Sequence, residues 1–201
     1  MGLLVLNSRG LNRQSGTMLI YQKLTELGYT DFSDKKIFVV SYPEYEVDDF
    51  IISNCIEIMG FKRENIYMSG SGIPQNVVPD FLYVTEGNTF EVLKYMRDYG
   101  IVAYIKEIML EKNINAVYIG SSAGAMIAGS DIMPAADFDS NFVGMIDCTA
   151  LGLFDGTIIP HYESEDLERY RSCTEEHILN RYANMYSVGE EEVVVMKMEK
   201  V

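Results

Sequence analysis

Ala116-Val117-Tyr118-Ile119-Gly120-Ser121-Ser122-Ala123-Gly124-Ala125 is the stretch whose reading decides the fold. Ala116 to Ile119 is a short apolar run, bounded by turn residues, of the kind that forms a strand buried on both faces. It feeds directly into Gly120-x-Ser122-x-Gly124, and small helix-compatible residues continue through Ala128. A buried strand that turns sharply into a helix is the local signature of an α/β chain.

The same alternation extends outward in both directions. Upstream, strands are predicted at Leu3 to Leu6, Lys36 to Val40, Asn65 to Met68 and Phe81 to Val84. Helices are predicted at Thr17 to Leu27, Val47 to Met59, Phe90 to Tyr99 and Val102 to Glu111. Downstream, a long loop from Ser130 to Gly144 precedes a strand at Thr157 to Ile159, a helix at Leu167 to Tyr182, and closing strands at Tyr186 to Val188 and Val193 to Met198. Strands and helices in this order predict a doubly wound, mostly parallel sheet with helices on both faces. The chain has 201 residues, 48% of them hydrophobic, enough for one sizeable core, so residues 1–201 are expected to form a single domain.

The balance of 16 Lys plus Arg against 30 Asp plus Glu gives a net charge of -14, with no basic cluster to offset it. Phosphate backbones and anionic lipid are repelled by such a field, so neither a nucleic acid nor a membrane is expected as a partner. No run approaches the roughly 20 apolar residues of a membrane-spanning helix. The opening Met1-Gly2-Leu3-Leu4-Val5-Leu6 lacks a basic segment and is broken by Asn7-Ser8-Arg9, so it reads as a strand and not a signal peptide. A cytoplasmic protein is expected. Cys55, Cys148 and Cys173 are far apart, with no C-x-x-C pair and no histidine at ligand spacing, so neither disulfides nor a metal site is expected. The acidic run Glu163, Glu165, Asp166, Glu168 reads as a solvated helix start. No cofactor is expected.

The turn at Ser122 lifts a hydroxyl above the sheet edge, where the following helix points free amides at developing negative charge. Serine is a weak nucleophile until a base takes its proton. Only two histidines are present, and His177 falls within a predicted helix among Glu175 and Glu176. His161 follows a strand and Pro160, at the carboxyl end of the sheet where open α/β folds build their sites. Ser122 and His161 are therefore the expected pair. Oxyanion donors are expected from the Ala123 amide and from Gly87, in the Gly87-Asn88-Thr89 loop after another strand. Asn88 or Thr89 also suits the cap of the next helix.

Four segments together, Leu3-Leu4-Val5-Leu6-Asn7-Ser8, Gly87-Asn88-Thr89-Phe90, the Tyr118 to Ala125 elbow and Pro160-His161-Tyr162, resemble the peptidase E family of aspartyl dipeptidases, related to cyanophycinases. The resemblance implies a sheet like that of class I glutamine amidotransferases and hydrolysis of short peptides with an amino-terminal aspartate. It implies Ser122 as nucleophile, His161 as base and Gly87 as oxyanion glycine, and by analogy a homodimer. Two acids fit the family's third catalytic position, Asp137 in the long loop and Glu190 after Val188-Gly189. Asp137 is favoured, because its apolar loop can bury a carboxylate, whereas Glu190 adjoins Glu191 and Glu192. Two departures stand out: Glu86 replaces a glycine before Gly87, and Arg169 and Arg171 are substitutes, not matches, for the family's substrate-reading arginine. Little of the sequence follows Met198, so a closing hairpin of the family is expected to be missing. The leading expectation is a serine peptidase of small peptides. Its rival is an inactive small-ligand binding or interaction protein on the same scaffold.

Overall fold

In the computed structural model, residues 2–162 and 185–198 are described. Eight strands are formed among them: β1 (Leu3–Asn7), β2 (Ile37–Val40), β3 (Ile66–Met68), β4 (Phe81–Val84), β5 (Val117–Ser121), β6 (Thr157–Ile159), β7 (Met185–Ser187) and β8 (Val193–Lys197). Six of them make one sheet in the order β3-β2-β4-β5-β1-β8, and β6 pairs with β7 in a separate two-stranded sheet. Every neighbour in the large sheet is parallel except β8, which runs antiparallel to β1.

Alternate side chains of the strands face opposite ways, and both sides are covered. Leu4, Leu6, Phe38, Val40, Leu82, Val84 and Tyr118 form one core with Phe90, Leu93 and Met96 of α3 (Thr89–Asp98), Ile105 of α4 (Ile101–Glu107) and Met126 of α5 (Ala123–Ile127). Val5, Ile37, Val39, Phe81, Tyr83, Val117 and Ile119 form the other with Ile20 and Leu24 of α1 (Gln14–Glu26) and Ile51 of α2 (Asp48–Asn54). The sheet is thus doubly wound and mostly parallel, as the alternation of sequence elements predicts.

Two predicted helices change pitch partway. The segment after α2 continues as a π-helical turn over Cys55–Met59, and α4 continues likewise over Ile108–Lys112. The wider turn keeps Cys55 and Met59 together on the core side, where both are buried. The predicted loop at 130–144 contains a 3-10 turn, Met133–Asp137, and is pinned by a bridge between Asp131 and Thr149. The predicted helix Leu167 to Tyr182 lies outside the described residues.

Topology decides what meets at the carboxyl edge. β1 ends at Asn7, β4 at Val84, β5 at Ser121 and β6 at Ile159, so the segments that follow all emerge at strand ends. Because β8 runs the other way, its first residue, Val193, pairs with Asn7. The turn before β8, which carries Glu190, therefore lies at the same edge.

Candidate active site

Ser122 occupies the turn between β5 and α5 with φ 49° and ψ −108°, a conformation that costs a non-glycine residue on the order of 1–3 kcal/mol. The surroundings hold it there. Its amide donates to the Asn7 carbonyl at 2.9 Å, and its carbonyl accepts from the Ala125 and Met126 amides at 2.9 and 3.1 Å. The neighbouring Ser121 hydroxyl donates to Asn7 Oδ1 at 2.8 Å. Gly124 meets β4 so closely that a Cβ would stand 2.1 Å from the Val84 carbonyl oxygen, so any side chain there would push the elbow off the sheet. Close approach, more than backbone freedom, is why this position is glycine.

His161 also has a positive φ, 56°, and its amide donates to Ser8 Oγ at 2.9 Å. The same hydroxyl donates to the Val188 carbonyl at 2.9 Å, joining the histidine segment to the chain that leads into Glu190. His161 Nε2 lies 2.9 Å from Ser122 Oγ, and Nδ1 lies 2.5 Å from Glu190 Oε1. An ionised carboxylate only accepts, so Nδ1 carries the proton and Nε2 is left to accept from the serine hydroxyl. Arg9 Nε donates to the other oxygen, Glu190 Oε2, at 2.8 Å. Burial pushes the Glu190 carboxyl up, but hydrogen bonds from His161 and Arg9, with their charges, outweigh it and hold the group below its ordinary range.

The expectation favouring Asp137 as the histidine's partner is corrected here. Asp137 ends the 3-10 turn with its side chain exposed, and no hydrogen bond joins it to His161. The apolar run Met133–Ala136 buries Pro134 and Ala135 instead of the carboxylate. Glu190 wins because the antiparallel β8 delivers its turn to the edge, where Arg9 offsets the like charges of Glu191 and Glu192.

Hydrogen bonding around Gly87 singles out its amide. Asn88 N donates to the Tyr45 hydroxyl at 2.8 Å, and Thr89 N donates to Asp139 Oδ2 at 2.8 Å. Asn88 Oδ1 accepts from Phe90 N and Glu91 N at 3.1 and 3.2 Å, which makes Asn88 the cap of α3. The amides that follow Gly87 are thus taken, and among the described residues no protein acceptor meets the amides of Gly87 or Ala123. Gly87 has φ 138°, and a Cβ there would stand 2.1 Å from the Tyr45 ring. Tyr45 donates in turn to Glu91 Oε2 at 2.8 Å. Its hydroxyl is pushed well above the ordinary range, chiefly by burial and then by Glu91, against the favourable Asn88 amide, so it stays a neutral donor.

Glu86 does not face the serine with a free charge. Its Oε2 accepts from the Gly10 amide at 3.2 Å, and its Oε1 accepts from Asn12 Nδ2 at 2.8 Å and lies 3.4 Å from Arg13 Nη2. Arg169 and Arg171 lie outside the described residues, as does the acidic run from Glu163. Among the described residues no group of three ligand-type side chains could hold a metal, and no helix is long and apolar enough to cross a membrane. Arg9, Ser8, Tyr45 and Asp139 were not expected from the sequence. The signal available was position: Asn7-Ser8-Arg9 is a polar triplet at the carboxyl end of a buried strand, where sites form.

Residues 73–201 match peptidase family S51. An uncharacterized peptidase of Listeria monocytogenes is 32% identical over 127 residues, which cover 61% of this chain and 58% of that protein. Peptidase E of Actinobacillus pleuropneumoniae is 26% identical over 159 residues, 76% of this chain and 64% of that protein, and the match to Haemophilus influenzae peptidase E is 31% over 159 residues, 76% and 69%. The chain therefore spans less than two thirds of the first two relatives. The solved structure of a provisional peptidase E from Listeria monocytogenes superposes with a TM-score of 0.66 at 23% identity, covering 99% of this chain and all of that one, a likeness of fold.

Proposed function

Because the chain belongs to peptidase family S51, we propose that it is a serine peptidase that hydrolyses small peptides through an acyl-enzyme at Ser122. The observation that carries the proposal is the continuous hydrogen-bonded path from Ser122 Oγ through His161 to Glu190, at 2.9 and 2.5 Å. In the first step Ser122 Oγ bonds to the scissile carbonyl carbon while its proton passes to His161 Nε2. Negative charge moves onto the carbonyl oxygen, where the amides of Gly87 and Ala123 can donate to it. The imidazolium keeps its Nδ1 proton on Glu190, which stabilises the cation and fixes the ring. Collapse of the intermediate expels the amine, which takes the proton from Nε2. Water then repeats the sequence on the ester and frees Ser122.

The rival reading as an inactive binding protein rests on Glu86 beside the oxyanion glycine and on the altered segment after His161. The engagement of the Glu86 carboxylate by Gly10, Asn12 and Arg13 speaks against the first ground. For the substrate, we propose peptides with an amino-terminal aspartate, read by a cation from Arg169 or Arg171. A dipeptide panel tests both parts. Asp-Leu is expected to turn over far faster than Asn-Leu, with the preference lost on substituting the responsible arginine, and all turnover lost in Ser122→Ala. Equal rates for Asp-Leu and Asn-Leu would reject the aspartate specificity, and turnover surviving in Ser122→Ala would reject the nucleophile.

A further inference from the structure

Glu190 is an awkward residue to orient a histidine. It sits in a turn with Glu191 and Glu192 beside it, its side chain is 29% exposed, and a carboxylate there is free to rotate unless both oxygens are claimed. Both are claimed, Oε1 by His161 Nδ1 at 2.5 Å and Oε2 by Arg9 Nε at 2.8 Å. Arg9 is carried on the segment that leaves β1, and β1 is the strand between β5 and β8, with Asn7 paired to Ser121 on one side and Val193 on the other. From that segment, the Asn7 carbonyl accepts from Ser122 N, Ser8 Oγ accepts from His161 N, and Arg9 donates to Glu190. Three consecutive residues thus touch the three members of the proposed triad, each of which comes from a different part of the chain.

We propose that Arg9 is a positioning residue that clamps Glu190 by one oxygen, so that the other oxygen is committed to His161 and the imidazole is held in the tautomer that accepts from Ser122. The proposal rests on the peptidase reading for its consequence in turnover. Its geometric content, that Arg9 sets the His161–Glu190 contact, stands on the described contacts alone. Arg9 suits the task better than lysine would, because a guanidinium is planar, always charged and limited in the directions from which it donates. The charged groups facing Glu190 are His161 and Arg9, with Glu191 and Glu192 following in the same turn. Removal of Arg9 takes away part of what holds the carboxyl down, so Glu190 gains its proton at a higher pH than in the wild type. With that cation gone the coupled His161–Glu190 pair takes up its first proton at a higher pH, and the acid limb of the activity profile, which reports that step, moves upward.

The test compares Arg9→Met with Arg9→Lys in the full chain, with kcat, KM and the pH profile on a dipeptide, and the low-field proton resonance of the His161 imidazole. That resonance is identified by its absence in His161→Ala. Arg9→Met is expected to lose about ten- to a hundredfold in kcat, by analogy with partners that orient metal-ligating histidines, with KM changed less than about twofold. Its acid limb moves to higher pH and the low-field resonance weakens or shifts. Arg9→Lys, which keeps the charge and also guards against a folding defect in the first variant, recovers part of the kcat and the wild-type limb. Wild-type kcat, limb and resonance in Arg9→Met would overturn the proposal. So would a matched loss in Arg9→Lys with the resonance unmoved in both. If the wild type cleaves no peptide, the peptidase reading fails, and an unchanged resonance in Arg9→Met then overturns the clamp separately.

Discussion

At the scale of single residues the decisive contact is that between His161 Nδ1 and Glu190. Replacing the acid with its amide keeps the shape but removes the charge, and an amide can present its NH2 to Nδ1 and turn the imidazole to the wrong tautomer. In the serine-protease case the corresponding change costs about 10⁴ in kcat. Glu190→Gln is expected to lose turnover on that order, and Asp137→Asn only a few fold at most, since Asp137 is exposed and apart from the histidine. Steady-state kinetics on the two variants checks this, and a large loss at Asp137 with near-normal activity at Glu190 would reverse the assignment. The serine and the histidine were legible in the sequence because a strand-turn-helix motif is local and only two histidines were present. The sequence offered two acids, Asp137 and Glu190, but not which of them meets the histidine, because burial of a loop carboxylate and charge crowding in a turn are judged wrongly without knowing which cation stands opposite. Arg9 and Glu190 are far apart in the chain, and nothing in either local sequence announces their pairing.

Between elements, the loop after β4 depends on the long loop after α5. Asp139 Oδ2 accepts from both the amide and the hydroxyl of Thr89, at 2.8 and 2.6 Å, and Asn88 Nδ2 donates to the Ser140 carbonyl at 2.9 Å. Thr89 is buried, so loss of the carboxylate leaves its amide without an acceptor and its hydroxyl with only the Met126 sulfur at 3.8 Å, a cost of about 1–3 kcal/mol. Asp139→Ala is therefore expected to lower the thermal midpoint and to loosen Gly87 as an oxyanion donor. The fall in kcat is bounded by the roughly 10²–10³-fold effect of removing one such donor outright. Calorimetry with kinetics on one preparation tests the link, and an unchanged kcat alongside a lowered midpoint would break it. Sequence periodicity found the strands and helices on either side of this contact. It could not find the contact itself, since a loop of small and polar residues carries no period from which its fold can be read.

Across the molecule, function is gathered by strand order. The alternation of apolar runs and amphipathic segments predicted a doubly wound sheet, but the order of its strands depends on packing between distant segments. The antiparallel β8 beside β1 moves the 189–192 turn from the far edge of a parallel sheet to the same edge as Ser122, Gly87 and His161. A chain with a net charge of -14 also makes cations at that edge consequential, and Arg9 and Arg13 both stand there on carboxylates, Glu190 and Glu86. This assembly is expected to activate one hydroxyl, that of Ser122. A fluorophosphonate probe reads that directly, because it bonds only to a serine whose proton a base can take, and mass mapping locates the adduct. A single adduct is expected on Ser122 in the wild type, none in Ser122→Ala, and labelling slowed by orders of magnitude in His161→Ala. No adduct, an adduct elsewhere, or equal labelling of Ser122 with and without His161 would contradict that expectation.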